Sequence, residues 1–448
     1  MTAIRDAIQR TPFQGDVFLV GGAVRDELLG IPQGNDFDLV TRQSSAELAN
    51  LLWTKGASSL PPVTYPQFGT AMVQVQGISI ELVTARKESY RGESRKPDVE
   101  PATYLEDALR RDFTVNSLRK DLENGEVIDI LGNGISDLEA RILRTPLDPT
   151  STFHDDPLRM LRAVRFRWQL GFDPSPGLYE AIRDTHNRLG IVSFERIRDE
   201  LLKMLSRPTA PDALRETLQL QLTHTIAPEF EGMVGVEQGN FHHLDVWDHT
   251  LLVIENLWRV KSQTPSQELV LAALLHDVGK PATRTIDPEG RTRFFGHETV
   301  GEELTRKILR RWKLAERDVE PVAILVKNHM RLGSSPTFSK SAARRLLRDM
   351  GHQLENLLWL VEADANSLRP GVRKIDLNPI REQLEAVQME TPREALESPL
   401  TGQEIMAILG LEPGPEVGKW KSFLTERVLE GDLAPGDKRG AEILLRGA

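Results

Sequence analysis

The sequence predicts an α+β fold, a head of mixed sheet and helices followed by a remainder that is all-helical. Three observations carry this. Short apolar runs separated by turn residues crowd the first third: VFLVGG (17–22), FDLV (37–40), AMVQVQGISIELV (71–83) and EVIDI (126–130). After about residue 140 such runs nearly vanish, and 3.6-residue periodicity takes over in DPLRMLRAVRFRWQL, FERIRDELLKML and QELVLAALLHDVG. Pro, Gly and Asn then interrupt the helical pattern at RTPLDPTST (144–152), VGVEQGNFHH (234–243) and LRPGVRKIDLNP (368–379). The expected divisions are a head over 1–140, a helical neck over 141–234, a His-rich helical domain over 235–370 and a helical tail over 371–448.

Composition sets outer limits. A chain of 448 residues has room for about three domains. Its 40% hydrophobic and 27% charged content is that of a folded protein. With no cysteine there is no disulfide framework, thiolate metal site or thiol nucleophile, which makes the cytoplasm the default expectation. No apolar run approaches the ~18 residues that suggest a membrane span, and MTAIRDAIQRTPFQGD lacks a signal-peptide core, so neither membrane insertion nor secretion is expected. The formal net charge is -10, so a nucleic-acid partner would be held by local basic patches.

In the head, VFLVGGAVRDELLG reads as a strand entering a Gly-Gly turn and then a helix. Gly22 lets a phosphate approach the backbone, and Arg25 adds a charged fork. Alone, this pattern is an ordinary packing turn. NDFDLVT sharpens it, because strand alternation points Asp36 and Asp38 to the same side. Adjacent carboxylates repel unless a cation separates them, and such ligands suit Mg²⁺ bridged by substrate phosphates. Glu81 in ISIELV is a candidate third carboxylate, although a solvated strand face accounts for it nearly as well.

These segments, with RRDFTVNSL (110–118), FHDDPLRMLRAVRF (153–166) and SFERIRDELLKML (193–205), form an ordered series over about the first 210 residues. The series resembles the class II tRNA nucleotidyltransferases, the CCA-adding enzymes and poly(A) polymerase relatives. The resemblance implies a polymerase-β-like nucleotidyltransferase head, with Asp36 and Asp38 as the catalytic metal-binding pair. It also implies that Arg111, Asp112 and Asn116 contact the ribose and phosphates of the incoming nucleotide.

In the neck, Asp156 and Arg159 are three apart and are expected on one helix face. Cytosine and adenine each offer an amine donor beside a ring-nitrogen acceptor, which Asp and Arg satisfy; uracil and guanine present the opposite pattern. CTP and ATP should be accepted and UTP and GTP refused. Asp155 and Asp156 match an acidic pair of the family whose first member is often Glu. Arg162, Arg165 and Arg167 continue the basic stripe, with Phe166 and Trp168 interleaved, fit for triphosphate or RNA backbone. Between Glu81 and Arg110, TARKESYRGESRKPDVEPATYLEDALR reads as a mobile loop. In the family a flexible element here helps switch from adding C to adding A, and enzymes confined to CC addition have it shortened. This one reads as somewhat short.

Six of the ten histidines, His242, His243, His249, His276, His297 and His329, fall between residues 242 and 329. His249, His276 with Asp277, His297, His329 and Asp364 resemble the HD phosphohydrolase pattern, in which imidazoles and carboxylates gather one or two divalent ions of unread identity. Lys280 is a candidate phosphate contact; His242 and His243 have no assigned role. The resemblance thus implies addition of CMP, AMP or both to the tRNA 3′ end, with phosphodiesterase or phosphatase activity in the HD domain. A partial A-adding or CC-adding enzyme and a poly(A) polymerase are alternatives. So is an RNA-binding module in which only the HD site acts. The tRNA would be recognised by shape through basic helices, with Arg306, Lys307, Arg310, Arg311, Arg344, Arg345 and Arg348 as candidates.

Overall fold

The structure, a computed structural model, describes every residue except 33, 90–97, 240–241, 261–262, 333–337, 373 and 448. The chain divides into two compact units, Met1–Pro228 and Glu229–Ala448. The expected head and the expected neck as far as Pro228 share the first; residues 229–234 join the HD region and tail in the second.

The first unit opens with helix α1 (Thr2–Ile8), strand β1 (Val17–Val20), helix α2 (Gly22–Leu28), β2 (Phe37–Thr41) and α3 (Ser45–Thr54). Four strands follow, β3 (Val63–Tyr65), β4 (Thr70–Val75), β5 (Ile78–Thr84) and β6 (Arg86–Ser89). The AMVQVQGISIELV run is therefore two strands, turned at Gln76 and Gly77, both of which have positive φ. Then come β7 (Asp98–Pro101), α4 (Tyr104–Leu109), β8 (Arg119–Asp121), β9 (Val127–Ile128) and α5 (Gly134–Ala140). One seven-stranded mixed sheet has the order β3-β4-β5-β2-β1-β8-β9, with β2 and β5 parallel and the other neighbours antiparallel. Leu39 pairs with Leu82 across β2 and β5, and both are fully buried; α3 packs on β4 and β5. Alternation then turns Asp38 and its register partner Glu81 to the opposite face.

The segment expected to be a mobile loop is ordered at its ends: β6 and β7 form a two-stranded ribbon, and α4 follows with a Thr103–Glu106 capping box. Its centre, 90–97, lies outside the described residues.

The neck is helical apart from a short parallel ribbon, β10 (Ile142–Leu143) with β11 (Asp173–Pro174), which corrects the expectation of helices alone. Its helices are α6 (Pro149–Asp155), α7 (Leu158–Leu170), α8 (Leu178–Thr185), α9 (Phe194–Leu205), α10 (Ala210–Gln219) and α11 (Thr223–Ile226). Helix α7 packs on α9 and α10 and buries Met160, Leu161, Ala163 and Val164 completely.

The second unit carries α12 (Val246–Val260), α13 (Gln267–Leu275) and α14 (Lys280–Thr283), then a hairpin of β12 (Thr285–Ile286) and β13 (Thr292–Arg293), a further exception to helix alone. Next are α15 (His297–Arg311), α16 (Glu316–Asn328), α17 (Lys340–Met350) and α18 (Leu354–Asn366). Helix α13 is apolar all round and lies against α12, α16 and α18, as an amphipathic helix would not. Helices α19 (Asn378–Glu390), α20 (Gly402–Leu409), α21 (Pro415–Glu430) and α22 (Lys438–Gly447) follow. The last three enclose a small core of Leu400, Ile405, Leu424, Val428, Leu433, Ala441 and Leu445. Among the described residues no helix is long and apolar enough to cross a membrane.

Candidate functional site

A cavity of about 520 Å³ opens in the first unit, lined among others by Gly21, Gly22, Arg25, Asp36, Asp38, Arg111, Asp112, Asn116, Arg162, Arg165 and Phe166. Residues from the GG turn, the start of β2, the segment after α4 and the neck helix α7 thus meet around one volume.

Its acidic wall is carried by Asp36 and Asp38, just before and within β2, with β5 alongside. Asp38 is pushed up to about 6 by burial, then by the charges of Glu81 and Asp36, with Arg111 opposing. Glu81 is also raised by burial, which Asp36 reinforces and Arg86 opposes. Asp36 lies one residue before β2 rather than within it, yet it lines the same cavity as Asp38. Glu81 is not among the lining residues, but its parallel register places it beside Asp38. Two raised carboxylates gathered beside Asp36 are a donor set short of a cation, and hard oxygen ligands fit a divalent ion. Gly21 makes the close approach possible: at φ 75° it occupies glycine's territory, and a Cβ there would stand 3.3 Å from Asp38 Oδ2.

The basic wall is a chain of buried polar contacts. Arg25 Nη1 donates to Asn116 Oδ1 at 2.6 Å, and Asn116 Nδ2 donates to Asp112 Oδ1 at 3.0 Å. Asp112 Oδ2 accepts from Arg162 Nε at 2.8 Å and Nη2 at 2.5 Å. Burial would raise the Asp112 carboxyl, but Arg162 and Asn116 win and hold it well below the usual range. The guanidiniums of Arg25, Arg162 and Arg165 stand 4.9, 5.2 and 4.0 Å from the ring centroid of Phe166, itself edge-on to Phe113. Gln169, Lys203, Ser206 and Arg207 also line the cavity and were not singled out from sequence. Gln169 and Lys203 fall within helical motifs already noted, whereas Ser206 and Arg207 lie just beyond one and carry no sequence signal.

The expected base-reading pair is placed differently. Asp156 precedes α7, in extended conformation before Pro157, and Arg196 donates to its two oxygens at 3.2 and 2.6 Å. Arg159 is buried, donating to the carbonyls of Thr152 and Arg110. Neither lines the cavity, so the expectation of an open pair on one helix face is corrected. Arg167 turns to Glu216, 3.1 Å away.

In the second unit, α12, the turn after α13, α15, α16 and α18 bring the HD residues together. His249, His276 and Asp364 form one group able to hold an ion; Asp277, His297 and His329 form another. His249 Nε2 is 3.0 Å from Asp364 Oδ1. The Nδ1 atoms of His276, His297 and His329 face the carbonyls of Ala273, Phe294 and Val326 at 2.8, 2.8 and 2.7 Å. Donation there leaves each Nε2 as a bare lone pair, the ligand form. His297 Nε2 and His329 Nε2 face each other at 3.2 Å, with Asp277 Oδ1, which has no hydrogen-bond partner among the described residues, 3.5 and 3.7 Å away. Converging lone pairs and an orphaned buried carboxylate oxygen are what a divalent ion satisfies. Burial lowers His329 to about 4, keeping it neutral.

Lys280 Nζ is engaged by Asp277 Oδ2 and Gln238 Oε1, both at 2.6 Å, and is 5.6 Å from the Phe294 ring centroid, so two of its donors are spent inside the protein. Gly279 is required where it sits, since a Cβ would strike His297 O at 2.2 Å. His242 stands edge-on to His249 with centroids 4.7 Å apart, whereas His243 is exposed. The candidate RNA-contacting arginines are largely ion-paired within the chain: Arg306 with Glu302 and Glu320, Arg310 with Glu316, Arg311 with Glu229, Arg345 with Glu426 and Glu430, and Arg348 with Asp349.

The arrangement defines a class, a nucleotidyltransferase head joined by a helical neck to an HD unit. Residues 17–144 match the poly A polymerase head domain, 171–233 the probable RNA and SrmB-binding site of polymerase A, and 242–370 the HD domain. The A-adding tRNA nucleotidyltransferase of Deinococcus radiodurans is 35% identical over 94% of this chain and 93% of its own. The CC-adding tRNA nucleotidyltransferase of Thermus thermophilus is 34% identical over 96% and 93%. The Bacillus stearothermophilus CCA-adding enzyme, solved with CTP, superposes with a TM-score of 0.70 at 23% identity, covering 99% of this chain and 95% of that one, a likeness of fold. The chain belongs to the tRNA nucleotidyltransferase family.

Proposed function

We propose that this chain adds CMP, AMP or both to the 3′ end of tRNA without a nucleic-acid template, releasing pyrophosphate, and that its HD site hydrolyses a phosphate ester. The observation that carries the first part is the single cavity with carboxylates on one wall and guanidiniums on the other. The triphosphate lies along Gly22, Arg25 and Arg111, and the 3′-hydroxyl of the tRNA attacks its α-phosphate. Asp36 and Asp38, with Glu81 beside them, would hold Mg²⁺, which when bound activates the hydroxyl and stabilises the leaving oxygen. Arg111, Asp112 and Asn116 meet the ribose and phosphates, and Arg162 and Arg165 close the far wall. For Asp156 and Arg159 to read the base, Asp156 must exchange Arg196 for the amine of cytosine or adenine.

Full CCA addition and addition of C or A alone stay distinct readings: the relatives matched over most of their length include an A-adding, a CC-adding and a CCA-adding enzyme. The test offers labelled CTP, ATP, UTP or GTP with tRNA lacking its last three nucleotides, lacking only the last, or complete. Incorporation of C, A or both on the incomplete ends, with U and G refused, is the expected result. Long A tracts on any RNA would make it a poly(A) polymerase. No incorporation alongside phosphatase activity would leave an RNA-binding module with an HD hydrolase. Asp156→Asn should relax the choice of base, raising UMP incorporation relative to CMP by about tenfold, one hydrogen bond to a charged group.

A further inference from the structure

Glu200, on α9, is 4% exposed and does not itself line the nucleotide cavity. Its carboxylate is nevertheless spent on two arginines that do. Oε2 accepts from Arg165 Nε at 2.6 Å, and Oε1 accepts from Arg162 Nη1 at 3.4 Å, with Lys203 Nζ 3.8 Å away.

The need for such an anchor follows from the crowding at Phe166, where three guanidiniums share one ring. Arg25 is paired with Asp26 at 2.6 Å, and Arg162 has Asp112 besides Glu200. Arg165 has no second carboxylate: among the described residues Glu200 is the one with which it is ion-paired. Burial and the neighbouring Arg162 both weaken the charged form of Arg165; Glu200 opposes them by charge and hydrogen bond, with a smaller contribution from the charge of Asp112. Geometry matters as much as charge. Arg165 Nε is held by Glu200 and Nη1 donates to Gln169 Oε1 at 2.7 Å. Among the described residues that leaves Nη2 as the donor without a protein partner, in a planar, oriented fork on the cavity wall.

We propose that Glu200 is a positioning residue for the incoming nucleotide, acting through Arg165, which it orients so that one guanidinium donor is presented to the bound triphosphate nucleotide. The proposal rests on the reading of this cavity as the nucleotide site. Wild-type protein that incorporates no nucleotide would overturn that reading, a result separate from any behaviour of the variants.

The experiment is steady-state incorporation by the full chain, with KM and kcat measured for the triphosphate and for tRNA. Glu200→Gln should raise KM for the triphosphate about tenfold, the size of one lost charge-assisted hydrogen bond, while kcat stays within about threefold and KM for tRNA is unchanged. Glu200→Asp, shorter but still charged, should recover most of the affinity. Arg165→Gln should raise the same KM, and the double variant should match Arg165→Gln alone. Multiplying effects in the double variant, an unchanged triphosphate KM in Glu200→Gln, or a shift in the tRNA KM instead would each overturn the proposal. Should Glu200→Gln fail to fold, the comparison of Glu200→Asp with and without Arg165→Gln decides by the same criterion of additivity.

Discussion

At Gly21 the backbone angles, φ 75° and ψ -144°, belong to a region that side chains avoid, and the missing Cβ leaves room for Asp38 Oδ2. Gly21→Ala should therefore lose about 2 kcal/mol of stability to backbone strain and displace Asp38 as well. Denaturant melts and an incorporation assay should both register the change. Asp38→Asn separates the two effects. Its carboxylate is buried beside like charges that push it up to about 6, so in chelator the neutral, isosteric amide should leave the protein as stable as wild type or more so. Incorporation should fall about a thousandfold, the scale of removing a preorganised charge-stabilising group. A variant that melts earlier in chelator, or that still incorporates nucleotide, would contradict the placement of Asp38 in a cation-seeking cluster.

Elements show why some of the site was legible in the sequence and some was not. Asp36 and Asp38, and His276 with Asp277, are local pairs whose spacing states their geometry, and β5 brings Glu81 in by the simplest parallel register. Asp156 and Arg159 were misplaced because a spacing of three presumes one helix, and Pro157 forbids it: the residue before a proline is driven out of helical conformation. The proline was in plain view. Glu200 and Arg165, 35 residues apart, carried no such sign, since only the packing of α9 on α7 joins them. Helix α4 carries a buried acid that likewise holds two arginines, here close in sequence. Its Asp107, 3% exposed, binds Arg110 at 2.6 Å and Arg111 at 3.0 Å, and Arg110 in turn offers its carbonyl to Arg159. Burial works against the Asp107 carboxylate, but the arginines prevail and its pKa is lowered from 3.8. A depressed acid stabilises the fold above the unfolded-state value and loses that contribution as pH falls through the folded one. Asp107→Asn should thus cost about 3 kcal/mol at neutral pH, and its deficit should shrink only below about pH 4. A deficit equal at pH 7 and pH 3 would show that shape, not charge, holds the two arginines.

Across the whole molecule, the cavity of the first unit draws its lining from residues 21 to 207 and the HD cluster draws its candidate ligands from 249 to 364, each inside one compact unit. Among the described residues no HD side chain lines the first cavity, and no head carboxylate enters the imidazole cluster. The two chemistries should accordingly be separable by single substitutions in the intact chain. Asp277→Asn removes the carboxylate facing His276, His297, His329 and Lys280, and should abolish hydrolysis of a chromogenic phosphodiester while leaving tRNA extension within about twofold of wild type. Asp38→Asn should do the reverse. Asp277 is also a buried ion-pair partner, so His297→Gln, which withdraws one imidazole and keeps a neutral polar group, serves as the milder probe and should give the same pattern. Chelation should silence both activities, because both ligand sets are built for divalent ions. If Asp277→Asn or His297→Gln melts like wild type yet loses tRNA extension, the units are coupled and the separation read from their ligand sets is wrong. If neither extension nor hydrolysis responds to chelator, the carboxylate and imidazole clusters are not metal sites at all.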